Sequence, residues 1–402
     1  MKLVPFSSQY LRLQEPLPFG VYDAEGRLLL AASQLVGSHE RLAELTQQPL
    51  FAQEQESADW HRRLAAAMDQ KLRQGASLKE LAAVRPADVS RDAVARKEPT
   101  LAEQWLELSL QLDSTLRDVR AGSDWRSRLM QVHARVRALV AKRLDASLYH
   151  LVYEAGHSTE KYSAQHALLC CLMGELACPL LGIEGPALDS LGRAALTMNV
   201  AMQRLQDQLA SIQLPPTPAQ RAEIDAHAEQ GARQLREAGL GDDLACRIVA
   251  LHHDNGDPDT AWGALTPERQ LARLLRRVDI FAAKISRRAT RAPMSPVQAA
   301  REACIGASGV PDEVGGALLK AVGLYPPGSF VELVCGELGI VVARGRRANL
   351  PYVASLVSAA GNPLGEPALR DTIDRRYAVR AAVPPAQVRV RPPHDRLMAL
   401  RI

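Results

Sequence analysis

Aromatic side chains are scarce. Phe, Trp and Tyr together make up 4% of the 402 residues. Sheets draw on aromatic and β-branched residues, so a large β-sandwich is excluded as the main architecture, and the abundance of Ala, Leu and Arg points to helices. Cysteine is also thin. The six present (Cys170, Cys171, Cys178, Cys246, Cys304 and Cys335) form no CxxC pair, which excludes a zinc ribbon and a disulfide framework. They read as small buried hydrophobes in a reducing cytoplasm, with a redox role for vicinal Cys170-Cys171 as the alternative to packing. The N-terminus, MKLVPFSSQYLRLQEP, lacks the unbroken apolar core of a signal peptide. No stretch approaches the roughly 20 apolar residues of a membrane span, so a cytoplasmic protein without a span is expected. A strong charge of one sign is missing too: 49 basic against 45 acidic residues leave +4, spread along the chain and too small to indicate nucleic acid. What remains is an ordinary globular composition, 47% hydrophobic and 23% charged, long enough for two or three domains.

Taken in order, residues 1–55 suggest a small β-rich module. Pro18 to Tyr22 is strand-like, Asp23 to Gly26 a turn, and Arg27 to Leu30 the returning strand. Such a module either docks or senses, or it caps the helical body. Residues 56–149 form a helical linker or dimerisation region. Trp60, Leu64, Met68 and Leu72 recur at helical spacing, residues 84–98 read as a linker, and two further stripes follow: Trp105, Leu108, Leu112 and Leu116, then Leu129, Val132, Val136 and Val140. These two can pair as a hairpin or support a homodimer. His133 and His150 show no partner in sequence.

Residues 150–323 read as one helical domain. Tyr162 to Cys178 is a long apolar helix with His166, and Ser190 to Ser211 a central helix containing Met198-Asn199. Pro215 to Pro218 breaks the chain and opens a helix carrying His227. Leu244 to His253 ends in His252-His253, an acidic loop follows, and Pro267 to Arg291 carries Asp279. Residues 324–402 turn β-rich: Ser329 to Val334 and Ile340 to Ala343 flank a Gly-containing turn as a hairpin, with Tyr377 to Val379 and Val388 to Val390 as further short strands.

Single histidines on successive helices, a His-His step and a later Asp form a metal-site layout, because helices of a bundle can aim such side chains at one point. At these residues the chain resembles the HD-GYP family of HD phosphohydrolases. The resemblance covers roughly residues 150–345. Tyr162 to His166 looks like the segment with the family's first histidine, and Ala194 to Met202 (AALTMNVAM) lies where the family has AALLHDIGK. His227 matches the next histidine, His252-His253-Asp254 the HHE motif, Asp279 the last carboxylate, and Tyr325-Pro326-Pro327-Gly328-Ser329 the hairpin that often follows. The resemblance implies a mostly α fold, an HD-type helical bundle with a small β-rich N-terminal module and a C-terminal β-hairpin extension. It also implies hydrolysis of cyclic di-GMP at a centre of two or three metals, with Arg288 and Arg291 where the family holds the ligand's phosphates.

The departures fall on the chemistry. Met198-Asn199 replaces the family's His-Asp pair, Met202 replaces its lysine, and the Gly-Tyr-Pro after the histidines is absent, although Asp257 remains. A neutral amide bridges two cations poorly, and a thioether does not suit hard divalent ions. Hence no catalytic residue is assigned, and Met198, Asn199 and Met202 are degenerate positions. His166, His227, His252, His253 and Asp279 remain as ligands for at most one divalent ion (Fe, Mn or Zn). His252 and His253 are neighbours on a helix, diverging by about 100°, so one of them is expected to join His227. The expectation is a degenerate homologue in cyclic di-GMP signalling, an inactive homologue that binds a nucleotide such as cyclic di-GMP or a signalling protein without efficient hydrolysis. The alternative is an active metal-dependent phosphodiesterase or other phosphohydrolase with a mononuclear centre. Asp279 has a structural alternative, pairing with Arg276 or Lys284 on its own helix. The arginines from Arg273 to Arg291 are either a solvated face or an anion-holding groove.

Overall fold

The computed structural model describes residues 3–14, 17, 19–32, 34–73, 99–254, 256, 260–305, 310–398 and 400. Two compact units emerge, Met1–Pro99 and Thr100–Ile402. Asp257 and the 84–98 stretch lie outside the described residues, as do the side chains of Met68 and Leu72.

The first unit is built on a four-stranded antiparallel sheet, β1 (Leu3–Phe6), β2 (Val21–Tyr22), β3 (Leu28–Leu30) and β4 (Leu50–Gln53), in the order β1-β4-β2-β3. The β2–β3 hairpin forms where the sequence suggests it. Asp23 makes the turn, its Oδ1 accepting from Glu25 N at 3.1 Å and Arg27 N at 2.8 Å, and Gly26 takes the positive φ of +80° that closes it. Phe6, Phe19 and Trp60 pack edge-to-face beneath the sheet, with Trp60 supplied by the Glu54–Arg73 helix.

The second unit is a helical domain joined to a β-rich region. Its helices Leu101–Arg117 and Trp125–Lys142 bury Trp105, Leu108, Leu112, Leu116, Leu129, Val132 and Val136 in the same core as the histidine-bearing helices. Both stripes are therefore turned into this chain's own core. At the centre lies Tyr162–Ala177, whose apolar residues are buried on nearly every side. The stretch Tyr162–Leu181 is long and apolar enough to cross a membrane, contrary to the sequence expectation, and 67% of that window is buried in the protein. A helix apolar all round is what a core position selects.

The single helix expected over 190–211 is instead two. Gly185–Thr197 ends just before Met198, a 3-10 turn covers Val200–Met202, and Gln203–Ser211 resumes. Thr197 Oγ1 bonds back to the Arg193 carbonyl at 2.8 Å, a contact that bends helices, and Asn199 sits at φ −103°, ψ 16°. The proline-rich break does open a helix, Pro218–Glu237, with a Thr217–Gln220 capping box. The next two helices are shorter than the periodicity suggests, Asp243–Leu251 and Pro267–Ile285.

The C-terminal segment is a five-stranded antiparallel sheet rather than a lone hairpin. Strands β5 (Phe330–Leu333), β6 (Leu338–Ala343), β7 (Tyr352–Val357), β8 (Pro363–Asp371) and β9 (Val379–Val383) lie in the order β8-β7-β6-β5-β9. The expected hairpin is its middle. β8 is unreadable from sequence because it is an edge strand containing Pro363, Pro367 and charged residues. Tyr377 falls in a 3-10 turn before β9, and Val388–Val390 forms no strand. Gly328 fixes the approach of the sheet to the helices. Its φ is +92°, and a Cβ there would lie 2.4 Å from the Tyr149 carbonyl oxygen on the Leu144–His157 helix.

Candidate metal centre

His227 comes from the Pro218–Glu237 helix, and His252-His253 from the end of Asp243–Leu251. The helix stops at Leu251, so His252 is its C-cap and His253 lies beyond it. Helical divergence therefore does not separate the two rings, which sit 4.1 Å apart, and both approach His227. One ligand atom from each of His227, His252 and His253 lies within 4.8 Å of the others. The divergence on which only one of the pair was expected to join His227 is thus absent, and all three rings gather together.

Hydrogen bonding fixes how two of these rings present themselves. His227 Nδ1 lies 2.5 Å from the Ile224 carbonyl oxygen, and His252 Nδ1 lies 2.6 Å from that of Val249. Each Nδ1 therefore carries the proton and donates it, leaving each Nε2 as a lone pair. The two Nε2 atoms face each other at 3.3 Å. Two lone pairs aimed at one another repel unless a cation or proton stands between them, and a backbone carbonyl behind each ring is how metal-ligating histidines are usually oriented. Burial pushes the His252 imidazole down to about 3, with the neighbouring His253 adding to it, and burial also lowers His227 and His253. Neutral imidazoles with converging lone pairs fit one divalent ion.

His166 and Asp279 form an adjoining group. His166 Nε2 is 2.8 Å from Asp279 Oδ1 and 3.5 Å from Cys170 Sγ. Burial would raise the Asp279 carboxyl, but the hydrogen bond from His166 outweighs it and holds the group well below the usual carboxylate range. Asp279 therefore does not pair with Arg276 or Lys284; its partner is His166. As they stand, these two satisfy one another, while His166 Nδ1 is buried without a hydrogen-bond partner. Cys170 escaped the sequence reading. Its signal was the spacing, one helical turn after His166.

The degenerate positions lie around the helix break. Met198 is wholly buried within the apolar core, Asn199 is 6% exposed, and Met202 is half-buried. Arg288 reaches the site indirectly. Its Nε donates to the Tyr162 hydroxyl at 3.1 Å, its guanidinium lies 5.1 Å from the Tyr162 ring centre, and that ring stacks on His166. It also lines a cleft of about 220 Å³ with His157 and Pro385. Arg291 turns inward instead, donating to the Ala283 carbonyl at 2.7 Å near the end of the Pro267–Ile285 helix, where carbonyls lack helical partners. Of the other arginines, Arg269, Arg273, Arg276 and Arg277 line a cleft of about 780 Å³ beside Leu251 and Asp254.

The chain resembles HD-GYP proteins without reaching the similarity that would make it one of them. Over 205 residues it is 25% identical to cyclic di-GMP phosphodiesterase PA4108 of Pseudomonas aeruginosa, a match covering 50% of each chain. The similarity thus spans about half the length of that curated relative. Bd1817, a HDG"Y"P protein from Bdellovibrio bacteriovorus, is a structural neighbour with a TM-score of 0.44 and 14% identity, covering 79% of this chain and 98% of that one. No family model matches the chain.

Proposed function

We propose that the chain works in cyclic di-GMP-linked signalling as a degenerate HD-GYP-type protein, binding a nucleotide or a signalling protein without efficient hydrolysis. The observation that carries this reading is Asn199 with Met198 at the helix break, where a bridging acid would be needed. Two dications about 4 Å apart repel by roughly 16 kcal/mol even at an effective dielectric near 20. An uncharged amide offsets none of this. The arginine-lined cleft beside Asp254 and the Arg288–Tyr162 contact supply cationic surfaces for a phosphate-bearing ligand.

One observation favours a second reading, a hydrolase with a mononuclear centre: the 3.3 Å approach of His227 Nε2 and His252 Nε2. His227, His252 and His253 would hold the ion, with His166 and Asp279 beside them. A bound Fe, Mn or Zn ion would supply Lewis acidity and a more acidic water. The chain's own part would be to hold neutral imidazoles in place through the Ile224 and Val249 carbonyls and to keep Asp279 ionised through His166.

Hydrolysis of cyclic di-GMP by the full chain, with Mn²⁺ and Fe²⁺ supplied anaerobically, separates the two. The first reading expects no turnover above background, together with calorimetric binding of cyclic di-GMP or a protein partner that weakens in Arg288→Ala. Turnover that vanishes in His252→Ala overturns it in favour of the second. A metal content near zero after reconstitution removes the second.

A further inference from the structure

The Tyr162–Ala177 helix carries two pairs of ligand-type side chains, each pair one turn apart. His166 and Cys170 face Asp279. Cys171 and Glu175, one position further round, face His133 on the Trp125–Lys142 helix. We infer that His133, Cys171 and Glu175 form a separate binding site for a borderline dication such as Zn²⁺, tying these two helices together.

The geometry is that of a compact three-atom cradle. His133 Nε2, Cys171 Sγ and a Glu175 carboxylate oxygen lie within 4.8 Å of one another. His133 is 5% exposed and Cys171 fully buried. His133 Nε2 and Glu175 Oε1 approach to 2.5 Å, and Arg137 Nε stands 3.8 Å from the other carboxylate oxygen. Space for the group is provided by the neighbouring Gly185–Thr197 helix, which carries Gly192 at the contact. A Cβ on Gly192 would lie 2.2 Å from Glu175 Oε1 and 2.3 Å from His133 Nε2. Glycine inside a helix is unfavourable by about 1 kcal/mol relative to alanine, and here it leaves open the volume these polar atoms occupy.

The ligand chemistry is consistent. Nitrogen, sulfur and oxygen donors together suit zinc or cobalt(II) rather than magnesium or calcium. A thiolate and a carboxylate bring two negative charges that balance a dication, with the Arg137 guanidinium left beside the carboxylate at 3.8 Å. On binding, the thiol proton is released, the imidazole takes its Nδ1–H tautomer, and metal–sulfur, metal–nitrogen and metal–oxygen bonds form. No electron is transferred. A water completes four-coordination.

The test is cobalt(II) titration of the full chain under anaerobic conditions, read by the thiolate-to-cobalt charge-transfer band in the near ultraviolet. The band is expected in the parent protein and in Cys170→Ser, lost in Cys171→Ser, and at least about tenfold weaker in apparent affinity in His133→Gln, with Zn²⁺ displacing it. Metal-free circular dichroism of each variant reports folding. Absorption at the zinc edge of Cys170→Ser, where Cys171 is intact, is expected to show a sulfur shell at about 2.3 Å. A band that follows Cys170 instead, no band in a folded protein, or a zinc shell without sulfur in Cys170→Ser overturns the assignment.

Discussion

Gly192→Ala is the sharpest test of the packing around His133. In most helix interiors this exchange stabilises, by about 1 kcal/mol from backbone entropy alone. Here the added methyl would fall 2.2 Å from Glu175 Oε1 and 2.3 Å from His133 Nε2. Both atoms end side chains that are nearly buried, 6% exposed for His133 and 13% for Glu175, and they are bonded to each other. Either can swing aside only by giving up its partner. Breaking a buried pair costs about 3–5 kcal/mol, and the helix-propensity gain returns about 1, so a net loss of about 2–4 kcal/mol is expected. For a unit of this size, Thr100–Ile402, that lowers Tm by about 3–6 °C. Urea denaturation followed by circular dichroism at 222 nm, in metal-free buffer, measures it. A Gly192→Ala protein as stable as its parent, or more so, would show that the pair relaxes freely and that the cradle is not held open by the glycine.

Three further outcomes follow from the packing of the second unit. Gly328→Ala should destabilise by about 3 kcal/mol or more, because φ is +92° and the Tyr149 carbonyl blocks the new Cβ; an unchanged thermal midpoint would refute the close approach. Trp125→Phe should cost about 2–3 kcal/mol in urea melts, since Trp125 is 1% exposed and its Nε1 donates to the Ala238 carbonyl at 3.1 Å. Burial, followed by the nearby His394, pushes the His150 imidazole down to about 4. Between pH 6.5 and 4 the unfolded chain therefore binds a proton that the folded chain refuses. Stability present above pH 6.5 should fall as the pH drops through that window, by about 3 kcal/mol at most. His150→Leu should flatten that part of the pH profile, and parallel profiles for parent and variant would refute the assignment.

Local periodicity carried much of the fold. The stripes through Trp105 and Leu129, the Thr217–Pro218 helix start and the β5–β6 hairpin are all encoded within a few residues of themselves. What escaped is non-local or marginal. The break after Thr197 depends on a threonine bonding back to Arg193, which composition does not reveal. Edge strand β8 is held by pairing with β7, not by its own propensity. At the site, the order of His166, His227, His252, His253 and Asp279 was visible, but their division into two groups was not. That division follows from which backbone carbonyl each ring meets and from the helix ending at Leu251. The His133–Glu175 contact bridges 42 positions of sequence and left no trace in either segment.

The close seating of Gly328 on the Leu144–His157 helix bears on how this polypeptide can be dissected. That helix presents Tyr149 and Tyr153 to the sheet, while its far end accepts Arg287 N at the Ala155 carbonyl and meets Pro385 at Gly156. A fragment trimmed after residue 323 would strip one wall from the Arg288 crevice and lay bare two tyrosines. Expression boundaries for binding work therefore belong ahead of Thr100, with the C-terminal strands kept.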